Sequence, residues 1–489
     1  MINVANYLKI TPVLCAAASA AAGFYCFSAL KHEWFMFIAV VLFVPLCLFI
    51  VLASLDKKSR GLQLTVVYSF AVAAGFVTGI SAAGSGRNNV TFGIPAEKVT
   101  ALEGVLLEDP RIISGGRAMA VFSLRKSASA DGLRVSSKGE ITVFFPEENA
   151  LKLREFGRGT SVFTEGRLRE TETGWVYSAA SMHIVKRPGI IDRMRTGVRL
   201  NLISRFEGKS WGGLALALLV GIRDNLDTGL AVLYRDTGLS HILALSGMHL
   251  AVIASIIAFL LKKPLGLKIS AFLGAVIICL YCFLVGPMPS LNRSALMYLL
   301  GVLVILGALP KDPMSILALS FLLQIIIAPA EGNTISFILS YLALAGILAV
   351  GQPMISLLTG KVPDLLLQPL AASCGAFLAT AAVTCFFFGV FIPMGIITGL
   401  ILVPLTTVFM IGSMIWLFLD IFSLSGFLNL PMALLYQLKE KIVSAAVNVP
   451  GITSMRFSVT LILSVIISLM IILIEYRRRS VMLKLKPFA

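Results

Sequence analysis

Ser246, Gly247 and His249 stand together in the run Thr237-Gly-Leu-Ser-His-Ile-Leu-Ala-Leu-Ser-Gly-Met-His-Leu250, which also holds Ser240 and His241. Three chemistries can be asked of them. Ser246 and His249, three positions apart, share a helix face and could hydrogen-bond as nucleophile and base. No oxyanion donors are identifiable beside them, and the first glycine of a Gly-x-Ser-Gly nucleophile is here Ala244. A metal would need other spacing. His241 and His249 are eight apart rather than the four of a helical pair, and no cysteine or carboxylate cluster joins them. No metal site and no catalytic residue are therefore expected. The third chemistry is anion recognition at a broken helix, where free backbone amides and small hydroxyls can meet negative charge.

The polar residues that would complete such a site are unevenly spread. They gather in Arg223–Asp227, Arg235–His249 and Pro289–Ser294, with weaker groups at Glu331–Ser340 and Gln368–Thr384. Gly221, Gly238, Gly247, Gly286, Pro287 and Pro289 interrupt helices there. An unpaired ion in hydrocarbon costs on the order of tens of kcal/mol, so a charged substrate needs continuous water, donors or positive potential across a membrane. Arg223, Asp224, Asp227, Arg235, His241, Ser246, Gly247, His249 and Arg293 are the candidate path residues. The alternative for the same residues is helix packing through small side chains. Gly208-Lys209-Ser210 has the tail of a phosphate-binding loop, but the position five before Gly208 is Ile203 rather than glycine. No nucleotide or other cofactor is expected.

Membrane helices have to position these residues. Of 489 residues, 57% are hydrophobic and 13% charged, whereas soluble domains carry roughly a quarter charged residues. Spans are predicted at 8–30, 34–55 and 62–83, then at 239–261, 266–286, 291–309, 313–330, 334–357, 364–389, 391–418 and 455–475. The seven cysteines all lie in apolar segments, which excludes a disulfide framework in the polar region. Much of the net charge of +16 falls in short loops, where it records topology before it records a ligand. Lys57, Lys58 and Arg60, then Lys262, Lys263, Lys268, Lys311 and the tail from Arg477, place those loops and both termini in the cytoplasm. Two inside termini demand an even number of crossings. One segment is therefore re-entrant, in-plane or split, with 214–222 and 425–449 as candidates. Gly426, Pro431 and Lys439-Glu-Lys441 make the latter a surface helix.

Residues 84–190 read as a soluble domain with strand-like runs at Val99–Leu107, Arg117–Arg125, Glu140–Phe145, Thr160–Leu168 and Trp175–Val185. Five short strands fit a small OB-type barrel. Arg125, Lys126, Arg167, Arg169 and Trp175 could contact a single strand there by charge and stacking; the alternative is barrel core and a solvated face. Residues 191–212 read as a basic amphipathic linker helix on the membrane. The fold class expected is thus a polytopic α-helical membrane protein of about 10–12 spans, with an extracytoplasmic OB-like barrel. Its parts are N-terminal helices (1–83), the barrel, the linker and a channel domain (213–489).

Several stretches carry a resemblance. Ala215–Asp227, Leu239–Leu250, Gly286–Ser294, Asp312-Pro313, Ile327-Ala-Pro329, Ser336–Leu344 and Ile401-Leu-Val-Pro-Leu405 resemble, in order and wording, the ComEC competence-protein family. Gly399 stands where that family commonly has asparagine. The resemblance covers roughly residues 95–480, with 215–345 its specific core. It implies an inner-membrane channel that takes up single-stranded DNA in natural transformation. It also implies an external DNA-receptor protein, a cytoplasmic helicase-type ATPase and a separate nuclease as partners, beside membrane lipid; a homo-oligomer stays open. The sequence lacks the His-x-His-x-Asp-His zinc signature of a metallo-β-lactamase-type domain, and a form without that domain is expected. On this reading the arginines attract phosphate and Gly247 permits close backbone approach. His241, Ser246 and His249 donate to the strand or fix the helix break, and Asp224 and Asp227 partner Arg223 and Arg235. A transporter for a small anionic solute and an intramembrane serine hydrolase are the competing classes.

Overall fold

Strict alternation builds the first unit. In Glu140–Phe145 (β5) the inward residues are Ile141, Val143 and Phe145, and Ala118, Ala120, Phe122 and Leu124 do the same in Ala118–Ser129 (β3). The computed structural model describes residues 12–29, 61–85, 90–113, 116–171, 174–243, 245–286, 288–308, 312–389, 392–447 and 457–485. They fall into two units, one of Arg87–Thr228 with Tyr281–Pro287, the other of the remaining chain.

In the first unit β1 (Val99–Leu106) pairs antiparallel with β3, and β3 with β5. β5 runs parallel to β7 (Gly174–Ala179), which pairs with β6 (Ser161–Thr171); β6 returns to β1 and closes a five-stranded barrel. Closure needs β1 to bend. A bulge between Glu103 and Gly104 supplies the bend, and a Cβ on Gly104 would lie 2.8 Å from the Ser123 carbonyl oxygen. Short β2 (Arg111–Ile112) and β4 (Arg134–Ser136) flank β3, and β8 (His183–Lys186) flanks β6. The core is Leu102, Phe122, Phe145, Leu153, Val162 and Tyr177 with their neighbours, each large side chain worth about 1.5–3 kcal/mol on burial.

The barrel is the OB-like one expected, with two differences. The run Trp175–Val185 is two strands, because Ala180 and Ser181 both donate to the Glu165 carbonyl and turn the chain. A helix, α3 (Glu147–Phe156), also stands between β5 and β6, where strand patterning predicts none. Glu147 and Glu148 in its first turn and Arg154 in its last complement the helix dipole.

Next come α4 (Ile190–Phe206) and α5 (Gly212–Val220). In α4 Arg195 is buried, while Ile190, Ile191, Met194 and Val198 are exposed. Asp109 explains this. Arg195 grips it with Nη1–Oδ1 at 3.0 Å and Nη2–Oδ2 at 2.9 Å, and Arg199 Nε reaches Oδ2 at 3.0 Å. The same arginines donate to the carbonyls of Phe283 (2.8 Å) and Val285 (3.2 and 3.3 Å), the last turn of a helix whose dipole favours cations.

The second unit is helical. α1 (Pro12–Ala29) and α2 (Gly61–Ser85) pack so closely that a Cβ on Gly79 would overlap the Ala20 carbonyl, the small-residue packing of membrane helices. The predicted span 34–55 lies outside the described residues. After α6 (Thr228–Asp236) and the single turn α7 (Ser240–Leu243) comes α8 (Gly247–Val285), kinked at Pro264 and Gly266 (φ 75°) between two predicted spans. Then follow α9 (Pro289–Leu306), α10 (Pro313–Ile327) and α11 (Ile335–Gly346), which continues through a π-turn into α12 (Gln352–Leu358). The remaining helices are α13 (Asp364–Phe388), α14 (Met394–Ile421), α15 (Asn429–Val447) and α16 (Phe457–Leu485). Among the described residues, five helical stretches are long and apolar enough to cross a membrane: Gly247–Val285, Pro289–Leu306, Ile335–Leu358, Leu366–Phe388 and Met394–Ile421. Phe259, Phe388, Phe418 and Leu473 project outward, which suits lipid and not water.

α15 covers most of the segment 425–449 expected to form a surface helix. It packs antiparallel on α14: Trp416 Nε1 donates to Asn429 Oδ1 at 2.8 Å, Gly412 faces Met432, and Phe409 lies under Lys439. Met432, Lys439, Val443 and Ala446 form the buried stripe.

Candidate functional site

The run Thr237–Leu250 breaks twice before α8 begins. Gly238 takes φ 75°, and α7 ends before Leu245, whose carbonyl accepts from Ser290 Oγ at 2.6 Å. His249, in the first turn of α8, folds back on the break. Its Nδ1 accepts from the Ser246 amide at 3.1 Å and lies 3.0 Å from Ser246 Oγ. An amide N–H can only donate, so Nδ1 is the acceptor and the neutral ring carries its proton on Nε2. Nε2 is buried and has no hydrogen-bond partner among the described residues. Ser246 and His249 thus meet as their spacing suggests, but no acidic group among the described residues orients the ring from its far side.

Gly247 makes room for an arginine. A Cβ there would lie 2.8 Å from Arg293 Nη2 and 2.9 Å from Ser294 Oγ. Arg293 projects from the start of the second turn of α9, which Pro289 opens at its N-terminus. It is 7% exposed. Its Nε donates to Ser340 Oγ at 2.7 Å and its Nη2 to Ser294 Oγ at 3.2 Å, while Nη1 faces Met297 Sδ at 3.5 Å and the guanidinium lies 5.9 Å from the Tyr341 ring centre. All these partners are neutral. The nearby carboxylate, Glu331, is occupied by Asn292 Nδ2 at 2.7 Å and Gln324 Nε2 at 2.5 Å, and Tyr341 fixes Gln324 Oε1 at 2.9 Å. No carboxylate pairs with Arg293 among the described residues. A buried cation held only by hydroxyls, a thioether and a ring retains its demand for an anion.

Of the other predicted residues His241 lies within electrostatic range of His249, and the rest lie elsewhere. Arg235 is exposed and pairs with its neighbour Asp236 at 3.1 Å; His241 is exposed on α7. Arg223, Asp224 and Asp227 belong to the barrel-bearing unit. Asp224 has a structural role, but its partners differ from those expected: Oδ1 accepts from the Ile112 amide at 3.3 Å and Oδ2 faces Arg154 at 3.9 Å. Burial pushes the Asp224 carboxyl above the ordinary carboxylate range, with Arg154 the leading opposing influence. Burial likewise lowers Arg199, against the pull of Asp109.

On the barrel, Arg125, Arg167 and Arg169 are exposed, and Lys126 pairs with Glu103 at 3.8 Å. Glu165 shares the face of β6 with Arg167 and Arg169, so that face is mixed in charge. Trp175 is half-buried, packing edge-on against Phe92 at 5.5 Å over the core.

Sequence reasoning missed Ser290, Ser294, Ser340 and Lys439. Lys439 left a readable signal: it falls four residues before Val443 and seven after Met432, on the stripe that packs inward.

These features define a multi-pass membrane protein that carries an OB-like barrel and, at a helix break, a buried arginine with neutral hydrogen-bond partners. The family described as Competence protein matches residues 218–479, and the chain belongs to it. It is similar to ComE operon protein 3 of Bacillus subtilis (strain 168), at 28% identity over 137 residues. That similarity covers 27% of this chain and 18% of the relative, less than a fifth of its length.

Proposed function

We propose that this protein is a channel of the bacterial inner membrane that admits single-stranded DNA during natural transformation. The observation that carries the reading is Arg293, buried against Gly247 at the start of a membrane helix with neutral partners only. A passing phosphodiester would supply the missing charge, and membership of the Competence protein family supports DNA as its source. The chain acts as a conduit and catalyses no reaction. Both termini lie in the cytoplasm by the distribution of lysine and arginine. An external DNA receptor, a cytoplasmic helicase-type ATPase and a separate nuclease would complete the route.

Transformation frequency tests this in a competent strain lacking the gene and complemented at equal expression. Wild type restores transformation, whereas Gly247→Leu, whose side chain collides with Arg293, lowers it at least about 100-fold, as expected when buried charge-assisted contacts are lost. Normal transformation in the deletion strain would overturn the reading and bring a small-anion transporter forward. The contact between Ser246 and His249 favours one second reading, an intramembrane hydrolase. It predicts that Ser246→Ala abolishes function and that serine-directed reagents label the protein.

A further inference from the structure

Four buried polar atoms in the helical unit have no hydrogen-bond partner among the described residues: Tyr234 OH, His249 Nε2, Thr406 Oγ1 and Lys439 Nζ. They come from four helices, α6, α8, α14 and α15, and each residue is 0–1% exposed. Contacts of adjoining residues bring their helices together. Lys439 Nζ lies 4.8 Å from the Phe409 ring centre, and Thr406 is one turn before Phe409 on the same face of α14. Thr407 Oγ1 approaches Met248 Sδ at 4.0 Å, which brings this turn of α14 against the residue before His249. Lys439 lies within electrostatic range of His249, and Tyr234 within that range of Tyr436, one turn before Lys439.

All four can donate. The tautomer fixed by Ser246 makes His249 Nε2 a donor, the lysine nitrogen carries N–H groups whether or not it is charged, and both hydroxyls donate as well as accept. A buried donor without an acceptor loses its hydrogen bonds to water with no replacement, and a charged one loses more. Packing alone does not explain their retention: Phe, Val and Met would fill the same volumes without the penalty. The Lys439 contact with Phe409 offsets part of the cost and satisfies no N–H.

We propose that Tyr234, His249, Thr406 and Lys439 form a buried oxyanion site that takes a phosphate group. Assigning that phosphate to a DNA strand rests on the import reading above; the oxyanion site itself does not. An anionic lipid headgroup offers the same chemistry from a second source.

The test uses the full-length protein in nanodiscs. Three substitutions keep volume and remove a donor: Tyr234→Phe, Thr406→Val and Lys439→Met. The probes are a labelled single-stranded oligonucleotide, the same oligonucleotide with an uncharged methylphosphonate backbone, inorganic phosphate, and anionic against zwitterionic lipid. Each variant should melt at or above the wild-type temperature, because a buried unpartnered donor is gone. Each should also bind the phosphodiester strand at least about fivefold more weakly, with the methylphosphonate strand unaffected. Lys439→Arg should restore part of the binding. Wild-type binding of phosphate that the variants lose, without oligonucleotide binding, keeps the site and sinks the import reading. Loss of the response to anionic lipid alone keeps the site and assigns it to a headgroup. Variants that bind every probe as wild type does, or that lose binding only because they melt early, overturn the proposal.

Discussion

In the barrel-bearing unit, Arg195 and Arg199 enter the interior to share one carboxylate, Asp109, and to cap the carbonyls of Phe283 and Val285. In the helical unit, Arg293 and Lys439 are as deeply buried and have no carboxylate at all among the described residues. Both arrangements remove cations from water, but only the first compensates them within the protein. A matched set of charges has no further demand and reads as architecture. An unmatched one keeps a demand that a group outside the chain can meet, so the same residue type carries opposite meanings in the two units.

The sharpest way to break that contrast is to remove the shared carboxylate. Asp109→Asn should leave two buried arginines without a counter-ion and destabilise the protein by about 3–5 kcal/mol. Thermal unfolding of the full-length protein in detergent would read this as a large drop in melting temperature. A variant melting within a degree or two of wild type would show that the arginines are not architectural. Arg293→Met should behave in the opposite way. It keeps the apolar stem and removes a charge that no described residue matches, so stability should hold or rise. Single-stranded DNA affinity should fall about 10- to 100-fold, the worth of a charge-assisted contact. The slope of log affinity against log salt should flatten by about one, the signature of one lost phosphate contact. If Arg293→Met instead unfolds as Asp109→Asn does, Arg293 is structural and the contrast fails.

Much of this was open to reading in the sequence, for identifiable reasons. Alternation in Glu140–Phe145 gives a strand with its inward face, and the fold adds only its partners β3 and β7. Asp312-Pro313 marks a helix start because the carboxylate accepts the Ser315 amide at 3.1 Å while proline opens the first turn. Gly238 and Gly247 mark the helix break because backbone geometry and close approach both require glycine. Ionic partnership is another matter, since it is settled by tertiary packing that no local pattern records. The sequence pairs Asp224 with Arg223 or Arg235, yet its cation is Arg154, seventy residues away on α3. Lys439 likewise reads as solvated beside Glu440 and Lys441, and only the stripe from Met432 to Ala446 turns it inward.

The Asp224 pair also gives the mildest test, and one with a pH signature. Arg154 faces Asp224 at 3.9 Å with both side chains partly exposed, so Arg154→Met should cost only about 1 kcal/mol at neutral pH. Burial already holds the Asp224 carboxyl above its ordinary range, and Arg154 is the leading influence drawing it down. Removing Arg154 pushes it further up. A carboxyl raised in the folded state binds its proton more tightly there than in the unfolded chain. Its stabilising contribution is therefore complete below the ordinary carboxylate range and is lost as pH rises through the folded value. The deficit of Arg154→Met should accordingly be largest at neutral pH and close as acid protonates Asp224. Melting temperatures of wild type and variant across the acid range should converge. A deficit that stayed constant with pH would mean that Arg154 contributes through packing and its bond to Asn225, and that even in the matched unit this pair is not held by charge.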